Sequence, residues 1–178
     1  MNKPGLLRLC CLALTLAASL PAVPQTAAGS YTVEFVLFRA DSGGPDDTSV
    51  PPPLQSAVAD TPITPVTTRR LAGAASKLRG AAGYKVIAHV AWTQAPAAWN
   101  SRRGVPFSAL GLDVAGLTGS VILERGQRNL RLGFDVRYAE GGHNLQMAQF
   151  QPMKVDEAQY FDHPQLGVVA LVTRSASP

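Results

Sequence analysis

Leu130-Arg131-Leu132-Gly133-Phe134-Asp135-Val136-Arg137-Tyr138 is the stretch on which the fold turns. Large apolar side chains fall on every second position, with Arg131, Gly133, Asp135 and Arg137 between them. A period of two over nine residues describes a half-buried strand, one face on a core and one in water. The turns on either side extend the pattern. Arg125-Gly126-Gln127-Arg128 joins it to a strand over Thr118 to Glu124, and Glu140-Gly141-Gly142 turns it back into His143 to Phe150. A meander of three antiparallel strands follows from these residues alone.

Three more strands lie further out. Tyr31 to Arg39 is aromatic and β-branched and reads as buried mostly on both faces. Tyr84 to Gln94 alternates, and Gly167 to Thr173 is apolar throughout. Between the first two, Thr67 or Thr68 is placed to cap a helix running to about Ala82, with Leu71, Ala74, Ala75, Leu78 and Ala82 on one face and Gly83 to end it. Arg69 and Arg70 oppose the dipole at its start, so this helix is expected to lean on tertiary packing. The expected fold is α+β: one main helix packed on a mostly antiparallel sheet of about six strands. The segment 40–67 interrupts it. With Gly43-Gly44 and a run of prolines and no sustained periodicity, it reads as a flexible, acidic, Pro-rich loop.

The first 28 residues are expected to be a cleaved secretory signal. Lys3 and Arg8 precede an apolar run, Leu9 to Ala18, and small residues follow up to Thr26-Ala27-Ala28. Ten apolar residues make a helix of about 15 Å, too short for the bilayer core. Both cysteines, Cys10 and Cys11, fall inside this segment, so the expected mature chain, 29–178, is a single domain without disulfides or thiol chemistry. A chain that is 46% hydrophobic, 16% charged and of mean hydropathy +0.07 is neither disordered nor fibrous. Without Lys3 and Arg8 the net charge falls from +4 to +2. The segment 40–68 holds Asp41, Asp46, Asp47 and Asp60 and no basic residue, so the remainder carries +6, mostly as arginine. An arginine-rich exported surface calls for anionic partners such as wall carboxylates, polysaccharide or lipid head groups. Nucleic acid is not an expected partner in that compartment, and no stable membrane insertion is expected once the signal is removed.

Two stretches carry more than fold information: the strand Tyr84-Lys85-Val86-Ile87-Ala88-His89-Val90-Ala91-Trp92-Thr93-Gln94, ending in Trp-x-Gln, and the turn Tyr160-Phe161-Asp162-His163-Pro164-Gln165-Leu166-Gly167. Together with the Tyr31-to-Arg39 strand behind a signal, they resemble the CsiV family of bacterial periplasmic peptidoglycan-binding proteins. The resemblance runs in order along nearly all of the expected mature chain. Asn129-Leu130-Arg131-Leu132 departs from a Tyr-Leu-His-Leu strand in that family, and the basic residues before the Asp-His-Pro turn are reduced to Lys154. The resemblance implies a non-enzymatic Gram-negative periplasmic factor that binds peptidoglycan and supports cell wall biogenesis, with a class A penicillin-binding protein or another envelope protein as a candidate partner. It implies no cofactor and no catalysis, and it supplies no ligand residues.

Those must come from the chemistry of the wall, whose sugars have apolar ring faces and whose peptide stems carry carboxylates. Aromatic platforms suit the first and arginines the second. Trp99 beside Arg102 and Arg103 in a loop is the leading candidate. Arg131 and Arg137 share the polar face of their strand, and Trp92 ends another strand, where the core competes for it. Asp162-His163-Pro164 lacks a nucleophile in a recognisable context, so it reads as a turn device: Pro164 holds His163 extended and Asp162 accepts backbone N–H groups. Tyr160 is expected to pack at this corner. His89, His143 and His163 match no metal spacing, and His89 reads as a satisfied strand histidine. The alternatives are a periplasmic protein-interaction adaptor docking on an envelope protein and, less favoured, a small glycan hydrolase, for which no facing carboxylate pair is evident.

Overall fold

The computed structural model describes residues 29–41, 52–54 and 57–175, so the expected signal and part of the Pro-rich insert lie outside the described residues. The strands are β1 (Tyr31–Ala40), β2 (Ala57–Val58), β3 (Thr64–Pro65), β4 (Tyr84–Gln94), β5 (Ala97–Ala98), β6 (Arg103–Pro106), β7 (Leu117–Arg125), β8 (Leu130–Glu140), β9 (His143–Met153), β10 (Ala158–Asp162) and β11 (Leu166–Arg174), with one helix, α1 (Ala72–Gly80). They form two sheets rather than one. The first has the order β10-β11-β1-β4-β3. The second has the order β2-β6-β7-β8-β9, with β5 beside β6 on the same edge of β7.

The strength of β1 explains the division. Val33, Phe35 and Leu37 on one side of it are fully buried, and so is Val36 on the other. The first side meets the second sheet. Phe35 packs edge-on against Phe134 of β8 at 5.2 Å, and Phe134 against Phe161 of β10 at 4.8 Å. The second side meets α1, where Val36, Leu71, Ala75 and Leu171 form a smaller cluster. The architecture is therefore layered as helix, sheet, sheet. A strand buried on both faces needs two partners, and the meander supplies the second one.

The sheets are tied at their edges by polar groups. Gln151 of β9 donates to the Tyr160 carbonyl of β10 at 3.1 Å, and Gln149 donates to that of Asp162. These bonds tie the edge strand β9 of one sheet to backbone carbonyls of the edge strand β10 of the other. Glu140, at the end of β8, binds Arg39 at 3.0 Å and also Lys85, joining the second sheet to β1 and β4. The Lys85 ammonium, with the Arg39 and Tyr138 side chains, holds the Glu140 carboxyl below its usual range.

Three expectations are corrected. The insert is not structureless where it is described: β2 and β3 add to β6 and β4, and Leu54 donates its N–H to Asp135 at 3.0 Å. That strap at Asp135, with the Phe150 ring over Gly133, explains a second difference. β8 is not half-buried, because Gly133 and Asp135 on its supposed water face are buried as well. The third concerns the helix, which spans Ala72–Gly80 without a threonine cap. The backbone leading into it is held instead by Glu34 of β1, whose buried carboxylate accepts from the Arg70 N–H at 2.8 Å and from that of the N-cap residue Leu71 at 2.9 Å. A buried acid there offsets the two arginines that oppose the dipole. The same carboxylate is 2.7 Å from His89 Nε2, so His89 is satisfied by a residue distant in sequence.

The Asp-His-Pro turn works differently from expectation as well. His163 Nδ1, rather than Asp162, accepts the N–H groups of Gln165 and Leu166, each at 3.2 Å. The residues before it form β10, and Tyr160 is half exposed while stacking on Phe38 at 6.2 Å. No helix among the described residues is long and apolar enough to cross a membrane.

Candidate functional site

The loop after β5 is built on one buried carboxylate. β5 runs parallel to the end of β7, with Ala97 opposite Glu124 and Ala98 opposite Arg125. Beyond it the chain must turn sharply, and Asn100 and Arg102 both adopt left-handed backbone, at φ +64° and +54°. Such conformations cost a non-glycine residue about 1–2 kcal/mol each unless the surroundings hold them. Glu124 does so. Fully buried, it accepts the Asn100 N–H at 3.0 Å and the Arg102 N–H at 2.7 Å.

The remaining capacity of Glu124 goes to Arg131, its cross-strand neighbour on β8. Arg131 Nε donates to it at 2.8 Å, and the same guanidinium reaches Asn100 Oδ1 at 2.6 Å. The plane thus fixed has an aromatic ring at 3.9 Å, Trp99, and another at 4.5 Å, Phe150 of β9. Arg102 lies over the same Phe150 ring at 4.4 Å. Phe150 can lie here because Gly133, opposite it in register, has no side chain: a methyl group on Gly133 would occupy the space of the ring. Cation–π contacts in such a partly desolvated stack are worth about 1–2 kcal/mol each.

Trp99 remains 40% exposed despite these contacts. Its indole borders an open recess of about 460 Å³ with Gly126, Gln127, Arg128 and Asn129, the turn between β7 and β8. An indole held from the protein side and open to solvent has the form of a stacking platform whose ordering has been settled before a ligand arrives.

The other candidates have different surroundings. Arg103 begins β6 and pairs with Asp60 of the insert. Arg137 sits in a separate recess with Pro53, Thr118, Gly119, Ser120 and Asp135, 3.9 Å from the Asp135 carboxylate. Trp92 lies in the core, 1% exposed, edge-on to Phe35, with its indole N–H donating to Gln94 at 2.6 Å. It offers no face to a ligand, so its place among the candidate ligand residues is corrected: the core has taken this strand tryptophan. The structure therefore gathers Trp99, Arg102 and Arg131 and disperses the rest. It adds Glu124 and Phe150, which the strand pattern passed over because each reads as an ordinary residue of a strand. Gly133 was the available signal, since a glycine inside a strand marks a close approach. Among the described residues, no three of His, Cys, Asp and Glu come together as metal ligands do.

No family model, no curated protein and no solved structure matches this chain.

Proposed function

We propose that this protein is a non-enzymatic, periplasmic peptidoglycan-binding factor that supports cell-wall biogenesis, with the Trp99 recess as its sugar-binding platform. The observation that carries the reading is the exposed Trp99 indole held against Arg131 at 3.9 Å in an open recess. Pyranose rings present apolar C–H faces and suit an indole fixed in this way. The arginine-rich body favours the anionic wall over longer distances. Localisation rests on the N-terminal segment, Met1 to Ala28, read as a secretory signal.

The test is co-sedimentation of the mature chain with purified insoluble sacculi at about 0.05, 0.15 and 0.5 M salt, a range over which the Debye length falls steeply. Specific binding should persist at the highest salt with no soluble fragments released. Absence of pelleting at the lowest salt would overturn the reading, and released fragments would replace it with hydrolysis.

A second reading has its own support. Phe38, Tyr84 and Tyr160 form a surface aromatic cluster on the helix side of the first sheet, with Tyr84 and Tyr160 each nearly half exposed. This patch suits a periplasmic adaptor that docks on an envelope protein such as a class A penicillin-binding protein. Capture of such a partner in the absence of wall, lost in Tyr84→Ala, would favour it.

A further inference from the structure

A second cavity, of about 420 Å³, lies beside the Trp99 recess, and Gln127, Arg128 and Asn129 border both. The β7–β8 turn is thus a ridge between an aromatic recess and a cleft of different chemistry. Three guanidinium groups from three separate places line that cleft: Arg125 at the end of β7, Arg128 in the turn and Arg174 at the end of β11. All three residues are exposed. Arg125 lies 5.9 Å from the Tyr31 ring.

Charge pairing leaves these three available to an anion. Arg39, Arg70, Arg103 and Arg131 each bind a carboxylate of the protein. No carboxylate among the described residues pairs with Arg125, Arg128 or Arg174. Three like charges around one cavity repel one another, and an anion between them removes that cost. The floor narrows the choice of anion. Tyr31, Leu130 and Met153, nearly buried, add a smaller apolar share to a lining that is mostly polar. A small inorganic ion would leave that surface wet, and a neutral sugar would leave the guanidinium groups without acceptors. A short peptide with free carboxylates and aliphatic side chains satisfies both, and the volume is that of an ordinary small-ligand site.

We infer that this cleft binds the carboxylates of the stem peptide, while Trp99 takes the sugar to which the stem is attached. The inference rests on the wall-binding reading and gives it a specificity: the ridge formed by Gln127, Arg128 and Asn129 lies where glycan and peptide part.

Calorimetric titration of the mature chain with a soluble disaccharide–peptide, released from sacculi by a muramidase, tests it. The control is the same fragment with its carboxylates converted to amides. At about 0.15 M salt the wild type should prefer the native fragment at least tenfold. Arg125→Gln/Arg174→Gln should lose that preference, with a thermal midpoint no lower than that of the wild type and its affinity for the amidated fragment kept. Should the double variant fold poorly, Arg128→Gln alone should lower the preference in the same direction. Equal, Trp99-dependent binding of both fragments by the wild type would overturn the inference and leave the wall reading standing. Binding of neither fragment, with no pelleting on sacculi, would overturn both.

Discussion

The Arg131 guanidinium lies 3.9 Å from the centre of the Trp99 ring, and the carboxylate that fixes it, Glu124, also fixes the backbone on which Trp99 is carried. One buried acid thus sets both the ring and the cation beneath it. The site is rigid because its parts share an anchor, although they come from a loop and two strands.

Glu124→Ala should be the most damaging single change at the site. It leaves the mostly buried Arg131 guanidinium without its counter-charge and two left-handed residues without their acceptor. A loss of about 3–5 kcal/mol is expected for breaking such a pair from one side. Urea unfolding of both proteins measures it.

Replacing Arg131 tests the platform, at a cost in stability because the buried Glu124 loses its counter-charge. Arg131→Met keeps the aliphatic stem and removes the stacked cation, so Trp99 should become more accessible. Iodide quenching of tryptophan emission should rise in the variant, and that rise should come from Trp99, since the other tryptophan, Trp92, is buried. Unchanged quenching would mean that Arg131 does not hold the ring.

Gly133→Ala probes the same stack from beneath. The added methyl group must displace the Phe150 ring, against which Arg131 and Arg102 both lie. Overpacking of this kind costs about 1–3 kcal/mol. The variant should unfold at lower urea and also bind sacculi more weakly, whereas a purely structural glycine would show only the first effect.

The pattern of two in Leu130 to Tyr138 and the Gly-containing turns on either side made the meander legible, because register and turn chemistry are local. The observed β7, β8 and β9 differ from the expected strands only at their ends. The division into two sheets was not legible. It depends on β1 being covered by α1 on one face and by β8 on the other, a relation between segments about a hundred residues apart. Short strands such as β2, β3 and β6 escaped for the same reason: Ala57-Val58 and Thr64-Pro65 have no pattern of their own and exist through the strands they join. At the site, Trp99, Arg102 and Arg131 could be named because their side chains suit the wall. The arginine cleft could not, since Arg125, Arg128 and Arg174 meet only once β7 and β11 are placed.

Tyr160 gives a prediction in pH. Partial burial, and next its hydrogen bond to Asp162, push its phenol up to about 12. An unfolded tyrosine ionises near pH 10. Between roughly pH 10 and 12 the unfolded chain therefore gives up a proton that the folded chain keeps. The contribution of Tyr160 to stability is whole below about pH 10 and is lost as the pH rises through 12. The fall in urea midpoint between pH 9 and 11 should accordingly be smaller in Tyr160→Phe than in the wild type, and equal falls would refute the assignment.

The measurement that bears most directly on wall binding through Trp99 is a comparison of wild type and Trp99→Ala on purified sacculi at about 0.5 M salt, where long-range attraction is screened. The wild type should pellet, and the variant should bind about tenfold more weakly while remaining folded, its unfolding shifted by no more than the lost stack of about 1–2 kcal/mol. A variant that pellets as well as the wild type, or a wild type that stays in solution, would contradict the account.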